Sequence, residues 1–553
     1  MQNVRRQSRD NIELLMETSW EVCNKIGGIY TVLSTKARVL QEKFGEKLVF
    51  IGPDVWTESN PSPYFVERKT LLKSCGSKLK LPYGITIRVG RWNIPGSPQV
   101  ILVKFDGVYE HLNEIFGKMW ELYGVNSMNA YGDYHEGCAF AVASAIVMNA
   151  LADFLKVSPE GVTAHFNEWT TAMGLLYLKM IHPEAATLFT THATSIGRSI
   201  CGNGKPLYDY FTGYNGDQMA WELNMEAKHS LEKTAAHQAD CFTAVSEITA
   251  RECEQLLDIR PQVVTPNGFE PDFVPDSAKY AKLRKHARKH LLEISSALKG
   301  KKFSEDTLIV ATSGRNEYRN KGLDLFLDSL VRLEKKGVKD VLALILVPAW
   351  VKETSAELLS ALSNNIEVKE APDFLTHRLN NESYDSVTCR INSLEGEGKL
   401  KDNVSVVYVP CYLDGNDGIV NISYYDLLPA LDMTVFASYY EPWGYTPLES
   451  VAFGVPTITS DKSGFGQWIL SHFVNALSAC GVKVVGRSDS NYSEAADEIA
   501  NQIARYSVQT PTEKKEAREA AAATSEKADW KFFISAYYDA FQVAAKRRDE
   551  RQK

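Results

Sequence analysis

The chain of 553 residues is too long for one hydrophobic core; its length allows three or four domains, and we expect two large α/β domains. Its 61 basic and 69 acidic side chains give a net charge of −8, which argues against general binding of nucleic acid or of anionic membranes. Nine cysteines without a Cys-x-x-Cys pair indicate neither a zinc site nor a disulfide framework, and they fit a reducing cytoplasm. The charged N-terminus lacks an apolar signal core, and we expect no run to reach the length of a membrane span, so we expect a cytoplasmic protein.

The first half of the chain predicts a parallel α/β domain, because short apolar, β-rich runs alternate with helical patterns. The predicted strands are residues 13–20, 48–51, 85–89, 100–105, 162–166, 186–191, 241–245 and 263–265. The run at 85–89 alternates in polarity as an edge strand does. Helices are predicted at 32–40, 171–181 and 137–156, the last apolar enough to be buried on most sides.

A glycine pair lies between the first strand and the first helix. Gly27 and Gly28 would let backbone approach a phosphate at the helix N-terminus, and Lys25 would add positive charge beside them. Taken alone, a Gly-Gly pair is more often only a turn.

Two later strands of this domain end in polar loops. Asn167, Glu168 and Trp169 could meet a sugar; alternatively, Trp169 fills the core and Glu168 caps the next helix. His192 shares a loop with Arg198, which strengthens the case for a ligand site, although a lone histidine at a strand end is usually structural. A Pro-Asn-Gly turn at 266–269 then suits a domain boundary.

The second half predicts another α/β series. Its predicted strands are residues 308–313, 341–347, 404–409, 433–437 and 455–459. Helices are predicted at 279–290, 323–333, 493–506, 511–528 and from 530 onward. The helix at 279–290 is basic, which favours a solvated face over an anion-binding patch, and residues 351–403 are expected to form an insertion.

Two loops of the second half carry charged groups at strand ends. Arg315 and Lys321 precede a helix, where a forked donor and a point charge would grip a diphosphate. Further on, Glu441 lies in the loop after the strand at 433–437 and Glu449 on the helix that follows. We expect Thr446 to cap this helix, with Glu449 either the far half of a capping box or a ligand contact.

These motifs occur together in one order along the chain. The run from Glu441 to Glu449, the glycine pair, His192 with Arg198, and Arg315 with Lys321 resemble the glycogen synthases of the animal and fungal type over most of the length. The resemblance implies an α/β GT-B fold of two Rossmann-like domains facing across a catalytic cleft. It places residues 1–269 in the first domain, completed by a C-terminal helix at 530–553 that crosses back, and residues 270–529 in the second. It also implies retaining transfer of glucose from UDP-glucose to an α-1,4-glucan such as glycogen.

The resemblance also implies a role for each matched residue. Four residues would be catalytic: Glu441 near the transferred glucose, His192 beside the sugar, and Arg315 and Lys321 on the diphosphate. Contacts to the nucleotide sugar would come from Lys25, Gly27, Gly28, Arg198, Tyr424, Trp443, Gly444, Thr446 and Glu449, with Tyr424 on uracil and Glu449 on ribose. Asn167, Glu168 and Trp169 would contact acceptor or sugar. We expect no metal and no cofactor, since the chain has no Asp-x-Asp motif.

The chain departs from the family pattern at several places. Family members commonly have His-Phe-His-Glu-Trp where this chain has Asn167 at the middle position. The stretch at 511–528 has a single arginine, Arg518, where animal and fungal members carry an arginine-rich helix that binds glucose 6-phosphate. On these grounds we expect a bacterial member that glucose 6-phosphate does not activate. We also expect a homo-oligomer. An ADP-glucose-dependent enzyme and an inactive glycogen-binding scaffold remain alternatives.

Overall fold

The computed structural model describes residues 12–57, 59–333, 336–364, 374–400 and 403–553. The chain divides into two compact units. The first comprises residues up to 203, 210–270 and 530–553, and the second comprises 204–209 and 271–529. Parts of the predicted insertion, at 365–373 and 401–402, lie outside the described residues.

The first unit is built on a nine-stranded sheet. Its strands are β1 (Leu14–Thr18), β2 (Leu48–Pro53), β3 (Phe65–Glu67), β4 (Thr86–Trp92), β5 (Gln99–Lys104), β6 (Val162–Asn167), β7 (Ala186–Thr191), β8 (Cys241–Ala244) and β9 (Val263–Val264). They follow the order β3-β4-β5-β2-β1-β6-β7-β8-β9, parallel except at the two antiparallel pairs β3/β4 and β4/β5. The run at 85–89 was therefore wrongly predicted to be an edge strand, because the three-residue β3 covers it.

Ten helices of the described chain belong to this unit. They are α1 (Gly28–Phe44), α2 (Cys75–Lys78), α3 (Leu112–Tyr123), α4 (Tyr134–Leu155), α5 (Trp169–Ile181), α6 (Ser195–Gly202), α7 (Gly216–Glu222), α8 (Glu226–Gln238), α9 (Glu247–Leu256) and, at the C-terminus, α20 (Trp530–Arg551). Among the described residues, α4 alone is long and apolar enough to cross a membrane, and 72% of its apolar window is buried in the protein. The expectation that no run reaches that length was wrong, and the burial of α4 in the core explains its composition.

The C-terminal helix is part of the first unit. The Trp530 indole N–H donates to Thr35 Oγ1 on α1 at 2.8 Å. Gly268 allows this close packing, since a Cβ there would lie 2.7 Å from the Trp530 ring. At the other end of α20, Arg551 donates to the carboxylate of Asp240 at 3.0 Å. A buried aromatic contact at one end and an ion pair at the other therefore fix both ends of α20.

The second unit contains a six-stranded parallel sheet and a two-stranded antiparallel ribbon. Its strands are β10 (Leu308–Ser313), β11 (Val341–Leu346), β12 (Val351–Thr354), β13 (His377–Leu379), β14 (Val404–Val409), β15 (Met433–Phe436), β16 (Thr457–Ser460) and β17 (Val482–Val485). The main sheet has the order β14-β11-β10-β15-β16-β17, and β12 pairs with β13 in the insertion. Because β10, β15 and β16 are adjacent and parallel, the loops after them meet at one sheet edge.

Ten further helices surround this sheet in the described residues. They are α10 (Ser277–Lys299), α11 (Leu323–Val331), α12 (Ala356–Asn364), α13 (Ser386–Gly396), α14 (Tyr424–Leu427), α15 (Tyr445–Ala452), α16 (Gly464–His472), α17 (Leu477–Cys480), α18 (Tyr492–Ser507) and α19 (Pro511–Glu526). The basic helix is α10, and Arg284 and Arg288 each pair with Asp432 at 2.9 Å. These two cations tie α10 to the residue just before β15, so only part of the basic face is solvated.

Candidate active site

Three loops of the second unit are bonded to one another at the carboxyl edge of its sheet. The amides of Tyr439 and Tyr440, after β15, both donate to the carbonyl of Asn320, after β10, at 2.9 and 3.1 Å. The amide of Gly464, after β16, donates to the carbonyl of Glu441 at 3.2 Å. These bonds bring the predicted residues Lys321 and Glu441 together, although 120 residues separate them in the chain.

The ammonium of Lys321 forms an ion pair with the carboxylate of Glu441. Both side chains are 13% exposed, so the pair is largely shielded from water while its outer face remains open. The next residue, Gly322, has a φ of 69°, and a Cβ there would lie 2.0 Å from the carbonyl oxygen of Ala437. Glycine is therefore required for the β10 and β15 loops to approach closely enough to form the pair.

Arg315 lies on the same loop as Lys321 but in a more exposed place. Its side chain is 58% exposed, and one guanidinium nitrogen lies 3.0 Å from the carboxylate of Glu317. An exposed ion pair of this kind is weak, so the guanidinium is available to a stronger anion such as a diphosphate.

The helix after Glu441 begins two residues earlier than the sequence suggested. Thr446 was predicted to be its N-cap, but the N-cap is Gly444, whose φ of 105° only glycine adopts readily. A Cβ on Gly444 would lie 3.0 Å from Pro447 Cγ and 3.4 Å from Glu441 Cγ. This glycine thus lets α15 start at Tyr445 and sets Thr446 inside the first turn.

Glu449 is bound within the second unit, and the capping-box alternative for it is wrong. Its side chain is buried, and it accepts a hydrogen bond of 2.8 Å from the hydroxyl of Tyr425. Burial and this carboxylate raise the pKa of Tyr425 well above its ordinary value. The neighbouring Tyr424 bonds Ser313 Oγ at 2.8 Å, which attaches the short helix α14 to the end of β10. The sequence did not single out Tyr425, because a tyrosine pair on a short helix gives no distinctive signal.

Two helix N-termini face the loop that carries Glu441. α15 begins at Tyr445, and α16 begins at Gly464, directly after Ser463, which forms a β-bridge with Glu441. Ser463 Oγ accepts the amide of Gly466 at 2.9 Å as the N-cap of α16. The indole of Trp443 is buried next to Phe465. Lys321 and Glu441 offset each other's charge, and the two N-terminal dipoles add positive potential that suits an anion.

In the first unit, the glycine loop already holds a carboxylate. Glu21 accepts hydrogen bonds of 2.8 Å from the amides of Gly27 and Tyr30 at the start of α1. Gly28 is exposed, and Lys25 Nζ lies 5.7 Å from the Tyr30 ring. The predicted phosphate contact of the Gly27 amide is therefore occupied by Glu21 in this structure. Glu21 gave no signal in the sequence, because its bond partners lie six and nine residues further on.

Asn167 and His192 are buried and bonded to each other in the first unit. The amide oxygen of Asn167 lies 3.0 Å from His192 Nε2, and the amide nitrogen donates to Glu17 Oε1 at 3.0 Å. Asn167 is 0% exposed, so the structure contradicts its predicted direct contact with a sugar. The pKa of His192 is lowered to about 3, mainly by burial and then by the charge of Lys36. At neutral pH the imidazole is therefore uncharged.

Three carboxylates brace the loop that carries His192 and Arg198. Glu168 Oε1 accepts the amides of His192 and Ala193 at 2.8 and 3.0 Å. Glu232 accepts Ser195 N and Oγ at 2.8 and 2.6 Å, and Glu252 accepts the hydroxyl of Thr194. Burial raises the pKa values of Glu168 and Glu232, and Arg198 opposes the shift at Glu168. The sequence missed Glu232 and Glu252, since an acidic residue on an ordinary helix is usually exposed.

Trp169 packs within the first unit. Its ring lies parallel to that of Tyr134 at 6.2 Å, with the Lys228 ammonium 4.4 Å from it, and it contacts the apolar core. Of the two alternatives for this residue, the core contact is the one that the structure shows. Glu168 precedes α5 with a φ of 68° and makes no side-chain cap bond, so its predicted capping role is wrong.

A family model shows which protein family the chain belongs to. The model for glycogen synthase matches residues 17–363 and 359–551 of this chain. The chain belongs to the glycogen synthase family. Relatives include the glycogen [starch] synthases of Neurospora crassa (28% identity, covering 97% of this chain and 84% of that one) and of Dictyostelium discoideum (29%, 97% and 67%). The human liver enzyme is 27% identical, covering 95% of this chain and 82% of its own.

Solved structures agree on the fold. The catalytic domain of starch synthase IV from Arabidopsis thaliana, bound to ADP and acarbose, matches with a TM-score of 0.60 at 14% identity, covering 96% of this chain and 99% of that one. A trehalose 6-phosphate synthase from Burkholderia multivorans matches with a TM-score of 0.52 at 12% identity, covering 98% and 100%. The fold is therefore GT-B, as predicted, and this glycogen synthase family member is a glycosyltransferase.

The family relatives do not support every expectation. Those named above are fungal, amoebal and human, so they give the expected bacterial origin no support.

One group of possible metal ligands occurs in the described part of this family member. His377, Cys411 and Asp417 place one ligand atom each within 4.8 Å of the others. His377 Nε2 already bonds the carbonyl of Asp417 at 2.9 Å, and the Asp417 carboxylate accepts three backbone amides at 2.7 to 3.0 Å. These internal bonds account for the cluster without an ion.

Proposed function

We propose that the protein elongates glycogen by transferring glucose from UDP-glucose to the non-reducing end of an α-1,4-glucan, with retention of configuration. The observation that carries this proposal is the Lys321–Glu441 ion pair beside the N-termini of α15 and α16. A cation, two helix dipoles and a carboxylate at one sheet edge suit a substrate that is anionic at one end and becomes cationic at its sugar carbon.

Binding of the donor would rearrange the charges of this site. The diphosphate would become a second partner of Lys321 beside Glu441, and it would also bind the exposed guanidinium of Arg315. Glu449, held by the Tyr425 hydroxyl, would accept from the ribose hydroxyls, while Tyr424 would stack on uracil. Trp443, Gly444 and Thr446 would border the sugar and phosphate.

The chemical step exchanges one bond for another at the sugar C1. The bond from C1 to the diphosphate oxygen breaks, and a bond from C1 to O4 of the acceptor glucose forms on the same face. The acceptor proton passes to the leaving phosphate oxygen, so charge is balanced. Arg315 and Lys321 stabilise the negative charge on the leaving group, and Glu441 stabilises the positive charge at the sugar. These cations supply the charge for which other transferases use a metal, so the proposal requires none.

The first unit would contribute contacts to the sugar and the diphosphate. We assign these to His192, Arg198 and the loop of Lys25, Gly27 and Gly28, where phosphate would have to displace Glu21 from the Gly27 amide. Glu168 supports this function indirectly, by holding the amides of the His192 loop. We extend the proposal to a cytoplasmic homo-oligomer that uses no cofactor.

One assay tests the reaction and the choice of donor. Purified protein is incubated with glycogen and radiolabelled UDP-glucose or ADP-glucose, each with and without a chelator, and label in the polymer is counted. We expect incorporation from UDP-glucose that the chelator does not reduce. Incorporation from ADP-glucose alone would transfer the proposal to the other donor, and no incorporation from either would contradict the enzymatic function in favour of a glycogen-binding scaffold.

A further inference from the structure

A chain of buried polar side chains runs through the core of the first unit to His192. It begins at Lys36 on α1, whose ammonium lies 2.7 Å from Glu17 Oε1 on β1. The same carboxylate oxygen accepts from Asn167 at the end of β6, which contacts His192. Lys36, Glu17 and Asn167 are each 0% exposed, so these bonds are made without competition from water.

The bonds of Asn167 fix which end of its amide faces His192. The amide nitrogen has two acceptors, Glu17 Oε1 at 3.0 Å and the carbonyl of Thr18 at 3.2 Å. Neither acceptor can donate, so the amide oxygen is the atom that lies 3.0 Å from His192 Nε2. A carbonyl oxygen only accepts, and the proton of the neutral imidazole must therefore be on Nε2. The other ring nitrogen, Nδ1, retains its lone pair, and no described residue bonds it.

The charges around the ring keep it neutral. Lys36 and His165 lie on one side with Glu17 between them, and the carboxylate of Glu168 binds the backbone of His192. Burial, Lys36 and His165 outweigh the attraction of Glu17, which lowers the pKa of His192 to about 3. The ring therefore does not titrate near neutral pH, and its hydrogen-bonding pattern is constant there.

We infer that Asn167 is a positioning residue that holds His192 as the neutral Nε2–H tautomer, so that Nδ1 is presented as an acceptor for a sugar hydroxyl. The inference rests on the proposed function for the identity of the sugar, but its structural part stands on the bonds within the first unit. It also gives a physical reason why asparagine can stand at the position where the family resemblance implies histidine. Either side chain can donate to Glu17 and accept from His192 at the same time.

The tautomer is measured directly by nitrogen NMR of protein labelled at histidine. His192→Gln identifies the signal by its loss. We expect Nε2 protonated and Nδ1 bare from pH 6 to 8 in the unaltered protein. In Asn167→Asp, a second carboxylate would face Glu17 and the ring, so the pKa of His192 should rise and the ring should begin to titrate. A proton on Nδ1, or a charged ring at pH 7, in the unaltered protein would overturn the inference whether or not the protein is an enzyme.

Kinetics then separate positioning from folding. Asn167→Leu should lower kcat by about tenfold or more with a smaller change in the donor KM, because the ring loses its fixed orientation. Asn167→His should restore most of the kcat.

Thr190→Val is the matched control, because it removes the 2.7 Å bond of His165 in the same network and leaves Asn167 and His192 paired. If Asn167→Leu fails to fold, Asn167→Asp and Asn167→His decide the outcome. Unchanged kcat in a folded Asn167→Leu or Asn167→Asp protein would refute the positioning role, whereas inactivity of the unaltered protein would refute the proposed function alone.

Discussion

The ammonium of Lys321 and the carboxylate of Glu441 pair across two loops of the second unit, each side chain 13% exposed. Glu441 is held from the other side by its carbonyl, which accepts the amide of Gly464. The pair thus lies at the carboxyl edge of the sheet, next to two helix N-termini. Its partial shielding from water strengthens the electrostatic interactions there. The first prediction concerns its cationic half.

Lys321→Met removes the positive charge and keeps most of the aliphatic side chain. We expect UDP to bind on the order of tenfold more weakly and turnover to fall by about a hundredfold, since the leaving group loses a preorganised cation. Calorimetry of UDP binding and the glycogen assay measure the two effects. Lys483→Met is the control, because Lys483 on β17 forms a looser ion pair, of 3.7 Å, with Glu498 on α18. Equal losses in both variants would show a general effect of charge rather than a local contact.

Tyr425→Phe tests the proposed nucleotide contact of Glu449. The change removes the 2.8 Å bond to the carboxylate and keeps the ring stacked on Phe453 at 5.3 Å. We expect UDP affinity to fall roughly three- to tenfold, the usual net value of one hydrogen bond, with kcat little changed. Tyr492→Phe, which removes a 3.0 Å bond to Asp328 in the same unit, should leave UDP affinity unaltered. Normal affinity in Tyr425→Phe would remove the Tyr425 bond from the proposed nucleotide site.

Gly322→Ala should disrupt the junction between the β10 and β15 loops. Its left-handed backbone and the 2.0 Å approach to the Ala437 carbonyl predict a cost on the order of 3 kcal/mol or more in the free energy of unfolding. Gly337→Ala is a close control, because Gly337 has a φ of 67° but open space around its Cα. That variant should lose only about 1 kcal/mol. Urea unfolding measures both, and equal costs would mean that the close approach does not constrain Gly322.

The buried carboxylates of the first unit predict the direction of its pH dependence. Burial raises the pKa of Glu232 to about 7 from an ordinary value of 4.5. Between these values the folded protein keeps a proton that the unfolded chain releases, so the free energy of unfolding should fall as the pH rises through this window. Glu232→Gln should make the fall shallower, whereas Glu121→Gln, at an exposed position of α3, should not. Urea midpoints at pH 5 and pH 8 measure the slope, and a rising midpoint in the unaltered protein would contradict the raised pKa.

Much of the fold could be predicted from local pattern. The buried parallel strands β10 and β11 are short apolar runs, so they were predicted close to their observed bounds. The composition of β1 would equally allow a helix, since Thr18 is its only β-branched residue, and its place before the glycine pair predicted the strand. β3, β12, β13 and β17 were missed, because each short run contains charged or titratable side chains that break the apolar pattern. The start of α15 was predicted wrongly because Thr446 and Pro447 form a typical helix start, whereas the left-handed conformation of Gly444 depends on its packing against Pro447.

The candidate site also contains residues that the sequence predicted and contacts that it did not. Lys321 and Glu441 were singled out from charge at strand ends, and parallel topology then brought them together. The bonds of Glu21, Tyr425 and Asn167 join segments or turns whose proximity no local pattern encodes. Pairs made by tertiary structure therefore had to be observed rather than predicted.

Glu441→Gln is the most direct test of the proposed reaction, because it removes one charge and preserves the shape of the side chain. We expect turnover in the glycogen assay to fall by at least about a hundredfold while calorimetry shows UDP still bound, since Lys321 remains to hold the diphosphate. Turnover within a few-fold of the unaltered protein would contradict the assignment of Glu441 to the stabilisation of the sugar cation.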